Sequence, residues 1–242
     1  MTVLVVGNGY SGRDIMIDLA DHAKTVYFCN RGEFLTCPLP PNVEQLPALL
    51  ELTSKGTTCF INGEENHVDA IILATGYKYS FPYLRNDSGI LIDGGKRIRP
   101  LYKHTFNIAN PSMAIIGMNT GVVPFLYFDL QVRWVMSVWS GQKLLPTKEE
   151  MIRNDEETYQ QRLREGLPPH LAGHFLGAGD THWDFYRELA DLGGSELVSP
   201  ESKVIYGEWM KLRTNDVMNY KHTNVFFDGN KCTFLRTRSE NR

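Results

Sequence analysis

Residues 2–20, "TVLVVGNGYSGRDIMIDLA", decide how this chain is read. Val3 to Val6 form an unbroken aliphatic run, the pattern of a strand buried on both faces. The run flows into Gly7-Asn8-Gly9-Tyr10-Ser11-Gly12, a G-x-G-x-x-G. Gly7 suits the tight turn out of the strand, and Gly9 suits close backbone approach to a pyrophosphate. Gly12 lets the following helix pack on the strand. That helix, about Ser11 to Asp21, places Ile15, Leu19 and Ala20 near one face, broadened by Ile17 and Ala23. Its free N–H groups and positive dipole end would point at phosphates. A second apolar run, Thr25 to Cys29, completes a βαβ unit, and in that setting the motif signals a dinucleotide.

The end of the second strand indicates which dinucleotide. NAD and FAD sites place Asp or Glu about 20 residues past the glycines, on the ribose 2′-OH. Here the chain reads Asn30-Arg31-Gly32, without a carboxylate. A guanidinium there suits a 2′-phosphate, so Arg31 is the discriminator for NADP(H), with Arg13 in reserve.

Working outward, 242 residues are enough for one large domain or two lobes. A net charge of −3 gives no case for nucleic acid or an anionic membrane. The four cysteines include no C-x-x-C pair, so neither a dithiol centre nor a zinc site is indicated. A reducing, cytoplasmic setting is the expectation. Cys29 and Cys59 read as core residues. No stretch reaches the ~20 apolar residues of a membrane helix, and no leader precedes the first strand.

Prolines at 38, 40, 41 and 47 mark a segment read as mostly loop. Thr57 to Ile61 and Val68 to Ala74 read as two strands around a turn at Asn62-Gly63. The second ends at Ala74-Thr75-Gly76-Tyr77, where Gly76 provides close approach or an unusual φ. A hairpin is expected over Gly89 to Ile98 around Asp93-Gly94-Gly95, then a strand from Met113 to Ile116. A polar loop from Gly117 to Gly121 leads into a helix from Phe125 to Ser140. Phe125, Phe128, Val132, Val135, Met136 and Trp139 recur at helical spacing, and Phe128, Trp134 and Trp139 are taken as core. Thr147 with Glu150 forms a capping box for a charged, solvated helix. Asp180, in Gly177-Ala178-Gly179-Asp180, reads as a helix N-cap. No catalytic triad or G-x-S-x-G elbow appears, and Pro168, Pro169 and Gly173 argue against a metal site at His170 and His174.

The glycine loop, the Ala74-Thr75-Gly76-Tyr77 stretch with "YSFPYL", "PLYKHTF", and "IIGMNTGVVPFLYFDLQVRW…SGQKLLPTKEEM" together resemble the flavin-containing monooxygenases. The resemblance is to the soluble branch with senecionine N-oxygenase-like and plant sulfur-oxygenating members. It covers residues 3 to about 152, and "THWDFYRELADLGG" still looks like the family's C-terminal helices. It implies an α/β chain: a Rossmann-like NADP(H)-binding lobe (1–73), the C-terminal part of an FAD-binding lobe (74–146), and a helical extension with a short hairpin (147–242). The implied cofactor residues are Gly7, Asn8, Gly9, Tyr10, Ser11, Gly12 and Arg31 for NADP(H). Thr75 and Gly76 would lie at the junction with the flavin lobe, and Asn119, Thr120 and Gly121 near the flavin ring, at the start of the helix holding Gln131. No catalytic residue and no metal is assigned. The implied activity is of the N,N-dimethylaniline monooxygenase type: NADPH reduces FAD, and one oxygen of O2 goes to a soft nitrogen or sulfur of a small amine or sulfide. Such chemistry asks the protein for alignment and a dry pocket more than for a nucleophile. The family's first lobe, with its own glycine loop for FAD, and an aromatic and histidine motif ahead of the second loop are expected upstream of Met1. The chain is thus expected to be the C-terminal portion of a monooxygenase, associating through exposed apolar surface. Two alternatives stay open: a non-catalytic NADP(H)-binding module, and another flavin-linked pyridine-nucleotide oxidoreductase.

Overall fold

In the computed structural model, which describes residues 1–177 and 179–236, the opening apolar run is strand β1 (Thr2–Val6). Helix α1 (Tyr10–Ala20) and strand β2 (Thr25–Cys29) follow, then β3 (Val43–Leu46), β4 (Leu49–Leu52), β5 (Thr57–Phe60), β6 (Glu65–His67) and β7 (Ala70–Leu73). A wholly parallel sheet runs in the order β3-β2-β1-β7. Successive strand residues face opposite sides. Leu4 accordingly joins Cys29, Leu46, Phe60 and Val68 on one face, where the antiparallel β4-β5-β6 sheet supplies Phe60. Val5 joins Met16, Val26 and Phe28 on the other, under α1. Covering on both faces is why the β1 sequence is apolar without alternation.

Two readings of this region need correction. The proline-marked segment contains β3, which pairs with β2 from Val26↔Val43 to Cys29↔Leu46. The run from Val68 is also not the hairpin partner of β5. β6 takes that place, and β7 pairs with β1 from Val3↔Ala70 to Val6↔Leu73. Met16, rather than Ile15 or Leu19, is the fully buried apolar residue of α1. Cys29 is core, whereas Cys59 is half-buried.

The second part of the chain begins with the expected hairpin, β8 (Leu91–Asp93) and β9 (Arg97–Arg99), then β10 (Leu101–Tyr102) and β11 (Phe106–Asn107). Met113 to Ile116 is not a strand; Ala114 makes only an isolated bridge to Phe106. Helices α2 (Pro124–Trp139), α3 (Lys148–Arg164), α4 (Pro169–Ala172) and α5 (Thr181–Gly193) follow, and α2, α3 and α5 contribute to the core around Tyr102, Phe106, Tyr127, Trp134, Phe185 and Tyr186. Gly193 lies so close to Trp134 that an added Cβ would sit 3.1 Å from its Cα, which lets α2 and α5 approach. Trp134 stacks edge-on to Phe106, and truncating a buried side chain of this size costs about 3–5 kcal/mol.

The buried face of α2 is Tyr127, Leu130, Gln131, Trp134 and Val135. Of the expected core stripe, Val135 is buried and Phe128 partly so. Phe125, Val132, Met136 and Trp139 are exposed. The Thr147 capping box of α3 is present, with Glu150 N donating to Thr147 Oγ1 and Thr147 N to Glu150 Oε2. The charges of α3 are not all solvated. Asp155 is an inward partner of Arg97 at 3.2 Å, their side chains 15% and 10% exposed. Asp180 holds the N-cap position of α5 without a side-chain capping bond; its carboxylate pairs with Lys203 instead. Ala178 of that stretch lies outside the described residues.

Helix α6 (Pro200–Asn215) and the hairpin β12 (Thr223–Phe227) with β13 (Cys232–Arg236) end the described chain. The chain divides into two units. One is Met1–Tyr77 with the stretch from Val204, and the other is Lys78–Lys203. The residues from 147 onward, grouped as one extension in the sequence reading, are thereby shared between both units. Among the described residues, no helix is long and apolar enough to cross a membrane.

Candidate functional site

The three glycines of the first loop play two different roles. Gly7 adopts φ +118°, and a Cβ there would meet Ala74 O at 2.4 Å. At Gly12 a Cβ would stand 1.8 Å from Gly7 O. These two glycines let strand, loop and helix touch. Around Gly9, by contrast, a Cβ would meet nothing within 4 Å. Its backbone faces open space, the condition for a ligand to come close.

That space is a cleft of about 940 Å³ within the first unit. Gly7, Asn8, Gly9, Tyr10 and Ser11 line it, with Asn30, Arg31, Thr75 and Gly76. The structure therefore brings together most of the expected cofactor set; Gly12 serves as packing contact. Gly9 is the N-cap of α1 and offers no side-chain acceptor, and the first turn has no acidic residue. The positive end of the helix thus faces the cleft without a competing protein anion. Gly76 takes φ +90°, a backbone state that favours glycine.

Two polar groups stand ready on the cleft wall. Arg31 is exposed and makes no hydrogen bond or ion pair among the described residues. Asn30 is 7% exposed: its Oδ1 accepts from Gly32 N at 2.7 Å, while its Nδ2 is buried without a partner among the described residues. A buried, unsatisfied amide costs about 1–3 kcal/mol, so a strand end that carries one suits a ligand acceptor. Asn30 was visible in the sequence only as the missing carboxylate. Arg13 does not itself line the cleft; its Nε donates to Asn8 Oδ1 at 2.8 Å, which pins the loop. Cys29 also lines the cleft, and burial pushes its thiol up in pKa, so it is a neutral group there.

The helix end has a further support that sequence spacing did not reveal. Arg213 of α6, 5% exposed, lies 3.4 Å from the ring centroid of Tyr10 and also faces Trp209 and Tyr220. Tyr220 hydroxyl donates to Asp14 of α1, and Lys221 pairs with the same carboxylate at 3.3 Å. Residues some 200 positions apart thus brace the turn that carries the glycines.

Asn119 and Thr120 belong to the second unit. Asn119 is 5% exposed; its Oδ1 accepts from Tyr127 hydroxyl and its Nδ2 is buried without a partner among the described residues. Thr120 is exposed and bridges Phe175, its N donating to His174 O and its O accepting from Leu176 N. Gln131, fully buried, holds this loop by accepting from Gly117 N at 2.9 Å and donating to Thr105 Oγ1 at 2.7 Å.

Residues 37–167 match the model of the flavin-binding monooxygenase-like family. Flavin-containing monooxygenase FMO GS-OX-like 9 of Arabidopsis thaliana is 33% identical over 92% of this chain and 47% of its own length. The chain belongs to this family. Flavin-containing monooxygenase FMO GS-OX4 of the same plant is 34% identical over 79% of the chain and 42% of its own. Among solved structures, S-allyl-L-cysteine S-oxygenase from Allium sativum superposes with TM-score 0.82 at 31% identity. The match covers 91% of this chain and 50% of that one. Tmm from Pelagibacter, at 22% identity and TM-score 0.74, shares the fold. The chain spans about half the length of the relatives it matches.

Proposed function

We propose that this chain carries the NADP(H)-binding lobe, and the C-terminal part of the FAD-binding lobe, of a monooxygenase. That enzyme would use NADPH and O2 to oxygenate a soft nitrogen or sulfur centre of a small molecule. The rest of the FAD lobe would correspond to the half of the relatives that this chain does not span. The observation that carries the reading is the glycine-loop cleft: open at Gly9, fronted by a helix N-terminus, and walled by Arg31 and the unpartnered Asn30 amide. Family membership makes an enzyme the better reading than an inert nucleotide-binding module.

The residues divide the work as follows. First-turn amides of α1 hold the pyrophosphate. Arg31 takes the 2′-phosphate and Asn30 Nδ2 donates to a neighbouring ribose oxygen. Gly76 and Thr75 close one side of the cleft. In the second unit, Asn119 Nδ2 would supply a donor to the flavin, its side chain held by the Tyr127 hydroxyl and its loop by the Gln131 bond to Gly117 N. FAD, when bound, would supply the electron transfer and oxygen activation, and the protein's part is orientation and water exclusion. A cytoplasmic setting and self-association through apolar surface belong to the same proposal.

The test combines the 242-residue chain with the FAD-binding half of a relative, in cis or as a separate polypeptide. NADPH-dependent oxygen uptake should appear with a tertiary amine or a thioether. Flavin retention without any NADPH oxidation would refute the monooxygenase reading and leave a binding module.

A further inference from the structure

An asparagine followed by glycine can react with itself, because the glycine nitrogen, unshielded by any side chain, can attack the side-chain amide carbon. The chain contains this dipeptide twice, at Asn8-Gly9 in the glycine loop and at Asn62-Gly63 in the β5-β6 turn. The two are held in opposite ways.

At Asn8-Gly9 the nucleophile and the leaving group are free. Neither Gly9 N nor Asn8 Nδ2 makes a hydrogen bond among the described residues, and a Cβ at Gly9 would meet nothing within 4 Å. Asn8 Oδ1, by contrast, accepts from Arg13 Nε at 2.8 Å, and Asn8 O accepts from the same nitrogen at 3.3 Å. The first bond polarises the amide carbon and stabilises the negative oxygen that forms when it is attacked. The second draws electron density from the Asn8-Gly9 peptide, which eases loss of the Gly9 N proton.

At Asn62-Gly63 the same atoms are engaged. Gly63 N donates to Phe60 O at 2.9 Å, Asn62 Nδ2 donates to Glu64 Oε2 at 3.3 Å, and Asn62 Oδ1 accepts from Glu64 N at 3.1 Å. Attack would break the Gly63 bond, and the Glu64 carboxylate opposes new negative charge beside it. Asn62 is exposed and Asn8 half-buried, so solvent access alone would rank the two the other way.

A change at position 8 would fall where the cleft has no tolerance for it. Among the described residues, no Asp or Glu lines the cleft, and the first turn of α1 has no acidic residue. An aspartate there would set a carboxylate beside the anion-binding end of the helix. An isoaspartate would lengthen the backbone between Gly7 and Gly9 by a methylene, in a loop where a Gly12 Cβ would already stand 1.8 Å from Gly7 O.

We propose that Asn8-Gly9 is a site of spontaneous deamidation that disables the glycine loop, and that bound nucleotide shields it. Gly9 N gives its proton to solvent base and bonds to Asn8 Cγ. The Cγ–Nδ2 bond breaks, Nδ2 leaves as ammonia, and a cyclic imide remains. Water then opens one of the two imide C–N bonds to give aspartate or isoaspartate, with nothing oxidised or reduced. The shielding and the loss of binding rest on the NADP(H) reading; the modification does not.

The test incubates the 242-residue chain in mildly alkaline buffer, with and without NADPH, and follows Asn8 and Asn62 by peptide mapping and mass spectrometry. Asn8 should convert faster than Asn62 in the folded chain, and the two should react at similar rates in urea. Arg13→Met should slow Asn8 by about tenfold, the loss of a hydrogen bond to a charged group, with the Asn62 rate in the same sample unchanged. NADPH should slow Asn8 alone, and the fraction of chain that binds NADPH should fall in step with Asn8 conversion. Asn8 converting no faster than Asn62 in the folded chain overturns the proposal, as does a gap that persists in urea or an unaltered Asn8 rate in Arg13→Met. Binding of NADPH that survives conversion, or that leaves the Asn8 rate unchanged, overturns it equally. A fresh chain that fails to bind NADPH refutes the nucleotide reading instead, and the two rates measured without nucleotide still decide the modification.

Discussion

The glycine-loop cleft and the surface of α2 handle apolar residues in opposite ways. Around the loop, each face of the parallel sheet is covered within the same unit, by α1 and Met16 on one side and by Phe60 and Val68 on the other. Along α2, one face is buried on Trp134 and Tyr127, while the opposite face carries Phe125 at 84% exposure and Trp139 at 51%. Both regions hold a buried asparagine amide with no partner among the described residues, Asn30 and Asn119. The first is on the wall of a cleft lined by residues of its own unit. The second is a loop and helix whose outer apolar stripe fits the proposal that more of a flavin lobe packs there.

The comparison breaks most sharply at Gly12. Gly12→Ala would force a Cβ against Gly7 O, where the available space is 1.8 Å. A loss of about 3 kcal/mol or more is expected, at or above the top of the usual overpacking range, with nucleotide binding lost alongside. Thermal melting of the variant checks this; an unshifted transition would mean that the loop and helix do not pack as described.

Acid should separate the two units next. His174, at about 4, lies below the usual 6.5, so its contribution is present above 6.5 and lost as pH falls through the folded value, about 3 kcal/mol in all. Asp155 runs the other way. Burial raises it to about 6, so its contribution is present below 3.8 and lost as pH rises through 6, again by about 3 kcal/mol. Those two offset each other. His104, pushed well below 6.5 with the same sign as His174, then decides the outcome. Melting followed from neutral pH down to about 4 should show Lys78–Lys203 losing stability, and His104→Asn should flatten the profile. A second unit that gains stability on acidification would contradict the neutral histidine pair.

How much was legible follows from where each signal lies. The β1-loop-α1 unit is local, its glycine spacing is visible in one short stretch, and its bounds are legible to within a residue or two, although the close contact at Gly7 comes from Ala74. β3 and β7 are set by parallel pairing across the chain, which turn chemistry does not report. On α2, two stripes share the helical period. Gln131 marks the buried one only because its amide bonds Gly117 and Thr105, a fact invisible in a polar letter. Arg213 over Tyr10 joins α6 to the glycine-loop helix across most of the chain, and no spacing rule links them.

Gly9 sharpens the contrast with Gly12. Since a side chain there meets nothing within 4 Å, Gly9→Val should leave the fold close to unchanged by circular dichroism yet block the nucleotide. Normal NADPH titration of that variant would reduce the loop to a turn.

The smallest expected change in stability is on α2. Phe125→Ser with Met136→Gln should stay within about 0.5 kcal/mol, as surface substitutions do. The same pair should reduce self-association in sedimentation and weaken recombination with an FAD-binding half. Unaltered association would remove the outer stripe from the account.

Arg31 tests the central claim most directly. Calorimetric titration of the 242-residue chain should give tighter binding of NADPH than of NADH, the gap narrowing at high salt. Arg31→Ala should weaken NADPH by roughly 1.5–3 kcal/mol, the worth of hydrogen bonds to a charged group, and leave NADH nearly untouched. Equal losses for both nucleotides, or no preference in the unsubstituted chain, would contradict the assignment of this cleft to NADP(H).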